Sequence, residues 1–325
     1  MATYSGKQFE AYVGIATQNI GSEVVAGTLY KMRMPSVNDI DFSGGVQLED
    51  VERTGQRVLR PTDHIAVRGG GTYSWSFSDY VIENKAMLQL LLQLVTEDTS
   101  PSVSASMTGN QATVAYAEGA ATGEYANIVI SSPDTDKDRL MHSAILQDLT
   151  LSLDPSAHGG RLTASGTFWS GFQPDIDTEA SSANATAVDY TKGFFDCTTQ
   201  TLATNAVYMN KFDITISNPA TRAGFKTVNS NAGEPESYNR GGQISVTGNV
   251  GVKMDDNSVT MVDNFLAGTS TNVSIGDGST IDFDIPTAKI SGHELDLGNE
   301  SGAFINLPFL GTADGSGVLV TIIGT

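Results

Sequence analysis

The sequence has a single cysteine, few basic residues and no long apolar run. Cys197 has no partner for an internal disulfide, so a disulfide framework is excluded and a buried thiol is expected. Lysine and arginine total 18 against 37 acidic residues, a formal net charge of −19. Such a composition argues against a surface that grips phosphates by charge. The longest apolar stretch, Ala86 to Val95, is about half of the ~20 residues needed to span a bilayer, so no membrane span is expected.

Motifs that carry catalysis or ligand binding are also missing. The 4 histidines share no short metal-ligand spacing, and no Walker loop, zinc-protease helix or nucleophile elbow occurs. Asp277, Asp282 and Asp284 do not have the spacing of an EF-hand. A carboxylate pair such as Asp213 and Asp282 can be drawn from any acidic β protein and does not by itself indicate a glycosidase. We therefore expect no catalytic residues, no cofactor and no bound metal.

Alternation of apolar and polar residues dominates what is present. It is clearest in Leu149 to Leu153, Phe212 to Ile216 and Ile281 to Ile285. Successive side chains of a strand point to opposite faces, so each segment has one buried and one polar face, as in antiparallel sheets covered on one side. Further strands are predicted at residues 73–77, 128–130, 162–168, 244–252, 304–307 and 318–322. These patterns predict a mainly β fold of the sandwich or barrel type.

Two helices are predicted, one in each half of the chain. Three-four spacing of apolar residues marks Lys85 to Val95 and Ser258 to Ala267, the second with Asp256 or Asn257 as N-cap and Gly268 just past its end. Both halves share one order: apolar strand, long polar segment, glycine cluster, strand, helix and closing hairpin. This order predicts two tandem domains, each flanked by one helix. The predicted boundaries are residues 1–177, with an insertion at about 96–140, a linker at 178–189, and residues 190–325.

Four stretches of the sequence carry a resemblance to a known family. They are residues 138–153 (DRLMHSAILQDLTLSL), 159–168 (GGRLTASGTF), 212–219 (FDITISNP) and 284–313, which opens with DIP and ends with LPFLGTA. Together they resemble the tail tube proteins of tailed bacteriophages, and the likeness covers nearly the whole chain. The resemblance implies β-sandwich units flanked by a helix, rings that stack into a hollow tube, and a long loop that reaches the next ring.

The family resemblance also implies a function and partners. The chain would be a structural virion protein of a siphovirus-like tail, not an enzyme, and would be assembled in the host cytoplasm. Because two tube units per chain halve the number of chains in a ring, homotrimeric pseudo-six-fold rings are expected, with homohexamers as the alternative. Tail terminator, tape measure and distal tail proteins would be further partners, and DNA would pass through the lumen without specific binding. No membrane would be involved.

A carbohydrate-binding β-sandwich module is the alternative from a different functional class, since it would also be acidic and rich in strands. Carbohydrate sites favour exposed aromatic rings. The two tryptophans, Trp75 and Trp169, both lie in strand patterns where core packing is expected. The alternative is therefore less favoured than the tail tube.

Two sets of surface residues are candidate sites. The segment Asp39 to Ile65 mixes charges of both signs with apolar residues that a free loop would not need, which favours a docking arm. Polar strand faces that carry aspartates are candidates for the lumen wall, because an acidic wall repels DNA over ~8 Å. Alternation alone leaves open whether those faces line the lumen or the exterior. The arm candidates are Glu49, Val51, Glu52, Arg53, Arg57, Val58, Leu59 and Arg60, and the lumen candidates are Asp148, Asp213, Asp282 and Asp284.

Overall fold

The computed structural model is mainly β, with two α-helices in the part of the chain that it describes. It describes residues 8–16, 20–21, 28–34, 37–43, 46–50, 64–68, 71–96, 111–115, 125–133, 137–177, 184–185, 187–226, 233–240, 243–297, 302–315 and 318–324. At residues 46–50, 64–68, 111–115, 184–185, 318 and 323–324 the description is confined to the backbone.

Strands and helices are numbered along the chain. The first half holds β1 (Glu10–Ile15), β2 (Leu29–Met32), β3 (Val46–Asp50), β4 (His64–Arg68), β5 (Tyr73–Val81), α1 (Lys85–Thr96), β6 (Gln111–Ala115), β7 (Ala126–Ser131), β8 (Asp138–Leu153), β9 (Thr163–Ser170) and β10 (Asp175–Asp177). Then follow β11 (Asn184–Ala185), β12 (Thr199–Leu202), β13 (Asn205–Ala206), β14 (Met209–Ser217), β15 (Thr221–Phe225), β16 (Pro235–Asn239), β17 (Ser245–Lys253), α2 (Asp256–Ala267), β18 (Thr271–Gly276), β19 (Ile281–Ile290), β20 (Glu294–Asp296), β21 (Phe304–Gly311) and β22 (Val318–Gly324).

The three alternating segments form strands as predicted. They lie in β8, β14 and β19, and the apolar residues in each are buried while the residues between them are partly or fully exposed. The other predicted strands are also confirmed, as β5, β7, β9, β17, β21 and β22, and β9 and β17 begin one residue later than predicted. Alternation with a period of two predicts these strands correctly, because one face of each strand packs on the core and the other does not.

Helix α1 is buried on nearly every side. Seven of its residues are buried, and it packs against β8, β1, β6 and β22. Its first turn is capped by Asn84, whose Oδ1 accepts hydrogen bonds from the N–H groups of Ala86 and Met87. Its last carbonyls accept from another part of the chain: Arg240 donates to the oxygen of Leu94 at 3.1 Å and of Val95 at 3.4 Å. A cationic donor at a helix C-terminus satisfies carbonyls that have no partner within the helix.

The N-cap of helix α2 lies one residue before the first of the two predicted caps. Its N-cap is Asp255, whose Oδ1 accepts from the Ser258 N–H at 2.9 Å, while the Ser258 hydroxyl accepts from the Asp255 N–H at 2.8 Å. The prediction of Asp256 or Asn257 was therefore wrong, because Asp255 adopts the extended conformation that a cap requires. The predicted terminal glycine is confirmed: Gly268 has a φ of 65° in the left-handed region.

Strand β8 joins the two halves of the chain. Its N-terminal part pairs with β7 and β10, and its C-terminal part pairs with β9 on one edge and with β14 on the other. Strand β14 pairs with β17, and β17 with β21. The strands β5, β9, β8, β14, β17 and β21 thus lie side by side in one large antiparallel sheet. Buried residues from both halves belong to one core cluster.

A second layer covers the core in the second half. Strand β19 pairs with β18 and β22, and the ring of Phe283 on β19 lies 5.4 Å from the ring of Phe212 on β14. Because β14 and β19 are not neighbours in the sheet, this ring contact crosses the core. The polar residues of β14 and of β19 therefore lie on opposite outer surfaces.

The stretch at residues 96–140 contributes strands to the main fold. Strand β7 is buried and pairs with β1 and β8, and β6 pairs with β22 near the C-terminus. The insertion predicted for this stretch stays a prediction. The boundary at 178–189 stays a prediction; the sheet and the core run across it, and Asp189 and Tyr190 both donate backbone hydrogen bonds to the Glu83 carbonyl.

Candidate functional site

A continuous polar surface, here called the polar face, crosses β9, β8, β14 and β17. The register of these strands aligns three rows of side chains on the side away from the core. The rows are Thr167, Asp148, Ser217 and Ser245; then Ser165, Thr150, Thr215 and Thr247; then Thr163, Ser152, Asp213 and Asn249. Every member is Ser, Thr, Asn or Asp.

Hydrogen bonds across strands order the polar face. The hydroxyls of Thr150 and Thr215 are 2.8 Å apart and lie at the junction between the halves. On the neighbouring pair of strands the hydroxyls of Ser76 and Thr167 are 2.9 Å apart. Such cross-strand pairs stabilise a sheet, and their short side chains project little from its surface.

The polar face holds two of the four lumen candidates. Asp148 is exposed, and Asp213 is half-buried with its Oδ2 at 3.4 Å from Nζ of Lys211. Partial burial raises the pKa of Asp213, an effect that the nearby Lys211 ammonium opposes. Asp148 stands opposite Ser217 and Asp213 opposite Ser152, so the two carboxylates lie on adjacent strands of one surface.

The other two lumen candidates lie on the opposite outer surface, on β19. Asp282 pairs with Gly276 and Asp284 with Ser274 of β18. Burial raises the pKa of Asp282 to about 6, and the charges of Asp284 and Asp277 act in the same direction. For Asp277 burial also acts to raise the pKa, but hydrogen bonds from Thr280, Ser279 and Ile281 outweigh it and hold the pKa below its ordinary value. The structure therefore divides the four candidates into two pairs.

The predicted docking segment contains a hairpin. Strands β3 and β4 pair antiparallel from Val46 opposite Arg68 to Asp50 opposite His64, and the candidate Glu49 stands opposite Ile65. The remaining candidates of the arm lie outside the described residues: Val51, Glu52, Arg53, Arg57, Val58, Leu59 and Arg60. Residues 51–63 connect the two strands.

A second hairpin, β15 and β16, was not predicted from the sequence. Its Tyr238 hydroxyl accepts from the Gly171 N–H at 2.8 Å, and its ring meets that of Trp169 edge to face at 5.0 Å. Arg222 donates to the Gly71 carbonyl at 3.1 Å. The hairpin therefore packs on the first half of the chain. Its signal in the sequence is weak, because Gly224 breaks the apolar alternation of β15.

Comparison with known proteins decides the family. A sequence model described as phage tail tube protein matches residues 18–312. The chain belongs to this family. Tail tube proteins have a structural role in the virion tail, and the match gives no support to the carbohydrate-binding alternative. Trp75 is buried and Trp169 packs on Tyr238, so neither ring offers a carbohydrate platform. No curated protein sequence matches the chain.

Further observations describe the surface of this tail tube protein. Among the residues described, no group of three or more His, Cys, Asp or Glu side chains is arranged to hold a metal ion. Neither helix in the described part of the chain is long and apolar enough to cross a membrane. Cys197 is buried, as predicted, and burial raises the pKa of its thiol to about 12. A structural family favours a chain without catalytic activity.

Proposed function

We propose that this tail tube protein forms rings of three chains, each of which supplies two tube units. The rings stack into the hollow tube of a siphovirus-like tail, and DNA passes through it. The observation that carries the proposal is a repeated scheme of strand pairing. The family match supports the tail tube role, and the repeat supports the number of chains.

The pairing scheme is the same in both halves. In the first half β5 pairs with β9, β9 with β8 and β8 with β7, and α1 lies between β5 and β7 in sequence. In the second half β17 pairs with β21, β21 with β19 and β19 with β18, and α2 lies between β17 and β18. Two equivalent units per chain convert three-fold symmetry into a pseudo-six-fold wall. Six whole chains per ring is the alternative.

We assign the channel wall to the polar face. It spans both halves without interruption, and its rows carry carboxylates, while the Lys211 ammonium beside them is paired with Asp213. Each basic residue paired with a phosphate would release counterions and hold the DNA, whereas carboxylates repel it. Asp282 and Asp284, on the opposite outer surface, would then face the exterior of the tube.

The hairpin β3–β4 with residues 51–63 is proposed to contact the next ring. A paired hairpin stem supports the reach of a long connection, and the connection mixes apolar and charged residues, which suit an interface core and its rim. Tail terminator and distal tail proteins would bind the tube ends and a tape measure protein its lumen, with assembly in the host cytoplasm.

Negative-stain electron microscopy and native mass spectrometry of the purified chain test the proposal. Hollow rings or tubes with three chains per ring are expected. Six chains per ring would assign the second unit to another role. A monomer that persists at high concentration would contradict the proposed assembly.

A further inference from the structure

We infer that each ring closes by pairing β20 of one chain with residues 38–43 of a second copy. The inference rests on the proposed ring and names the surface that closes it. It comes from a junction within the chain, the pairing of β8 with β14, which joins the first unit to the second. If the units repeat, the second unit must present the same edge to the first unit of the next chain.

The internal junction shows what a covered edge looks like. Leu151 of β8 stands opposite Ile214, and Leu153 opposite Phe212 of β14. Leu151 is 1% exposed and Leu153 is fully buried. The β14 strand therefore supplies both a hydrogen-bonded neighbour and an apolar cover for these leucines.

Strand β20 occupies the place of the C-terminal part of β8 in the second unit, and β19 occupies that of its N-terminal part. Leu151 pairs with Ala164 of β9, and Leu295 pairs in the same way with Ile305 of β21. The counterparts of Leu151 and Leu153 are Leu295 and Leu297, yet these are 45% and 72% exposed. In the described part of the chain β20 pairs with β21 alone. The two leucines thus lack the cover that their counterparts have.

Residues 38–43 occupy the place of β14 in the first unit. Their sequence, NDIDFS, aligns with FDITIS at residues 212–217 and shares the aspartate, the isoleucine and the serine. Asp41 forms an antiparallel β-bridge with Ser74 of β5, and in the same way Thr215 pairs with Thr247 of β17. Ile40 is 2% exposed, and its counterpart Ile214 is fully buried. The sequence, the strand that each segment pairs with and the burial therefore all indicate that residues 38–43 are equivalent to residues 212–217.

A cavity beside residues 38–43 can receive an apolar side chain. It has a volume of about 200 Å³ and is lined by Phe9, Val37, Asn38, Asp39, Ile130 and Arg139. We apply the register of β8 with β14 to the proposed pair of strands. Leu295 then stands opposite Ile40, and Leu297 stands opposite Asn38, next to this cavity. A second copy therefore provides what the exposed leucines lack, and the cavity provides space for Leu297.

Cysteine cross-linking tests the register. Thr150 and Thr215 face each other at the internal junction, and their counterparts are Glu294 and Asp41. Facing residues of antiparallel strands have Cα atoms about 4.5–5.5 Å apart, within the range a disulfide bridges. The double variant Asp41→Cys with Glu294→Cys should, on oxidation of assembled protein, give covalent species of two and three chains. Each single variant, which retains Cys197, is the control and should give none.

A leucine substitution with a matched control tests the edge itself. Leu297→Glu should remain folded, but the protein concentration that it requires to form rings should be at least tenfold higher. Leu266 on α2 is also 72% exposed, and Leu266→Glu should assemble as the unsubstituted chain does. Normal assembly of Leu297→Glu, equal loss in Leu266→Glu, or absence of cross-links in assembled double variant would overturn the inference. Absence of rings from the unsubstituted chain would instead contradict the proposed function.

Discussion

Arg240 ties the two halves of the chain together. Besides the end of α1, its guanidinium donates to the carbonyls of Leu146 at 3.2 Å and Asn218 at 3.3 Å. One side chain from the second half thus satisfies backbone oxygens of α1, of β8 and of the segment after β14. Buried carbonyls that lose a charged donor keep the full cost of desolvation.

Replacement of Arg240 should therefore be costly. We expect Arg240→Met to lower the free energy of unfolding by about 2–3 kcal/mol, because buried carbonyls lose a charged donor, although that of Val95 keeps the Asn218 amide at 2.9 Å. Urea denaturation measures the change. Arg33→Met is the control: its guanidinium meets Glu83 at 3.3 Å on the surface, where an ion pair is worth about 1 kcal/mol or less. Equal loss in the two variants would contradict the role of Arg240.

Asp282 should make stability depend on pH. Its folded pKa of about 6 lies above the ordinary 3.8, so the folded state holds its proton more tightly than the unfolded state. Stability from this group is present below pH 3.8 and is lost as the pH rises to about 6. Asp282→Asn should raise the free energy of unfolding at pH 7 by about 1 kcal/mol, after allowance for partial exposure, and leave it unchanged at pH 3.

Unfolding curves at several pH values check the Asp282 expectation. Asp148→Asn, at an exposed position of the polar face, is the matched control. A gain for Asp282→Asn that is equal at pH 3 and pH 7 would show that the burial of an ionised carboxylate beside Asp284 and Asp277 is not its source.

At the scale of elements, the arm formed by residues 51–63 has a clear expected role. Its replacement by Asn-Gly between the paired ends of β3 and β4 should preserve the stem, because that turn suits a two-residue hairpin. We expect rings to form and stacking into tubes to fail. Electron microscopy counts rings against tubes, and circular dichroism confirms the fold. Normal tubes from this variant would show that the arm is dispensable.

The strands and helices could largely be predicted, because local patterns determine them. Alternation identified β8, β14 and β19, and three-four spacing identified α1 and α2. Non-local pairings could not be predicted: nothing in residues 111–115 indicates that β6 pairs with β22. The same holds for Arg240, since a lone arginine gives no sign of which carbonyls it meets. Hairpin β15–β16 was missed because a glycine interrupts its alternation.

At the scale of the whole molecule, the two outer surfaces make the lumen assignment testable. Asp148→Lys with Asp213→Lys places cations on the polar face, whereas Asp282→Lys with Asp284→Lys places the same charge change on the opposite surface. We expect the first pair to leave tube assembly intact and to slow DNA delivery, because lysines bind phosphates. The second pair should deliver DNA normally, as measured by infection of a phage that carries each variant. The reverse result would assign the lumen to β19.

Salt should affect ring closure. The internal register applied to the proposed junction sets Asp41 opposite Glu294, and like charges in facing positions of a sheet repel. Screening weakens this repulsion at high ionic strength. We expect ring formation to increase as salt is raised from about 0.05 to about 0.5 M. Over this range the Debye length falls to about the separation of the two charges. Glu294→Gln should assemble better than the unsubstituted chain at low salt. If salt affected the assembly of neither protein, the register would be contradicted.

The pairing of β6 with β22 sets the timing of folding during synthesis. Residue 115 leaves the ribosome about 200 residues before residue 318, which at 5–20 residues per second is about 10–40 s. Throughout that interval β6 has no partner strand, and the β14-binding edge of β8 has none until residue 217 is made. Unpaired edges of this kind recruit strands from other chains. A fragment of residues 1–177, which lacks β14 and β22, is therefore expected to aggregate.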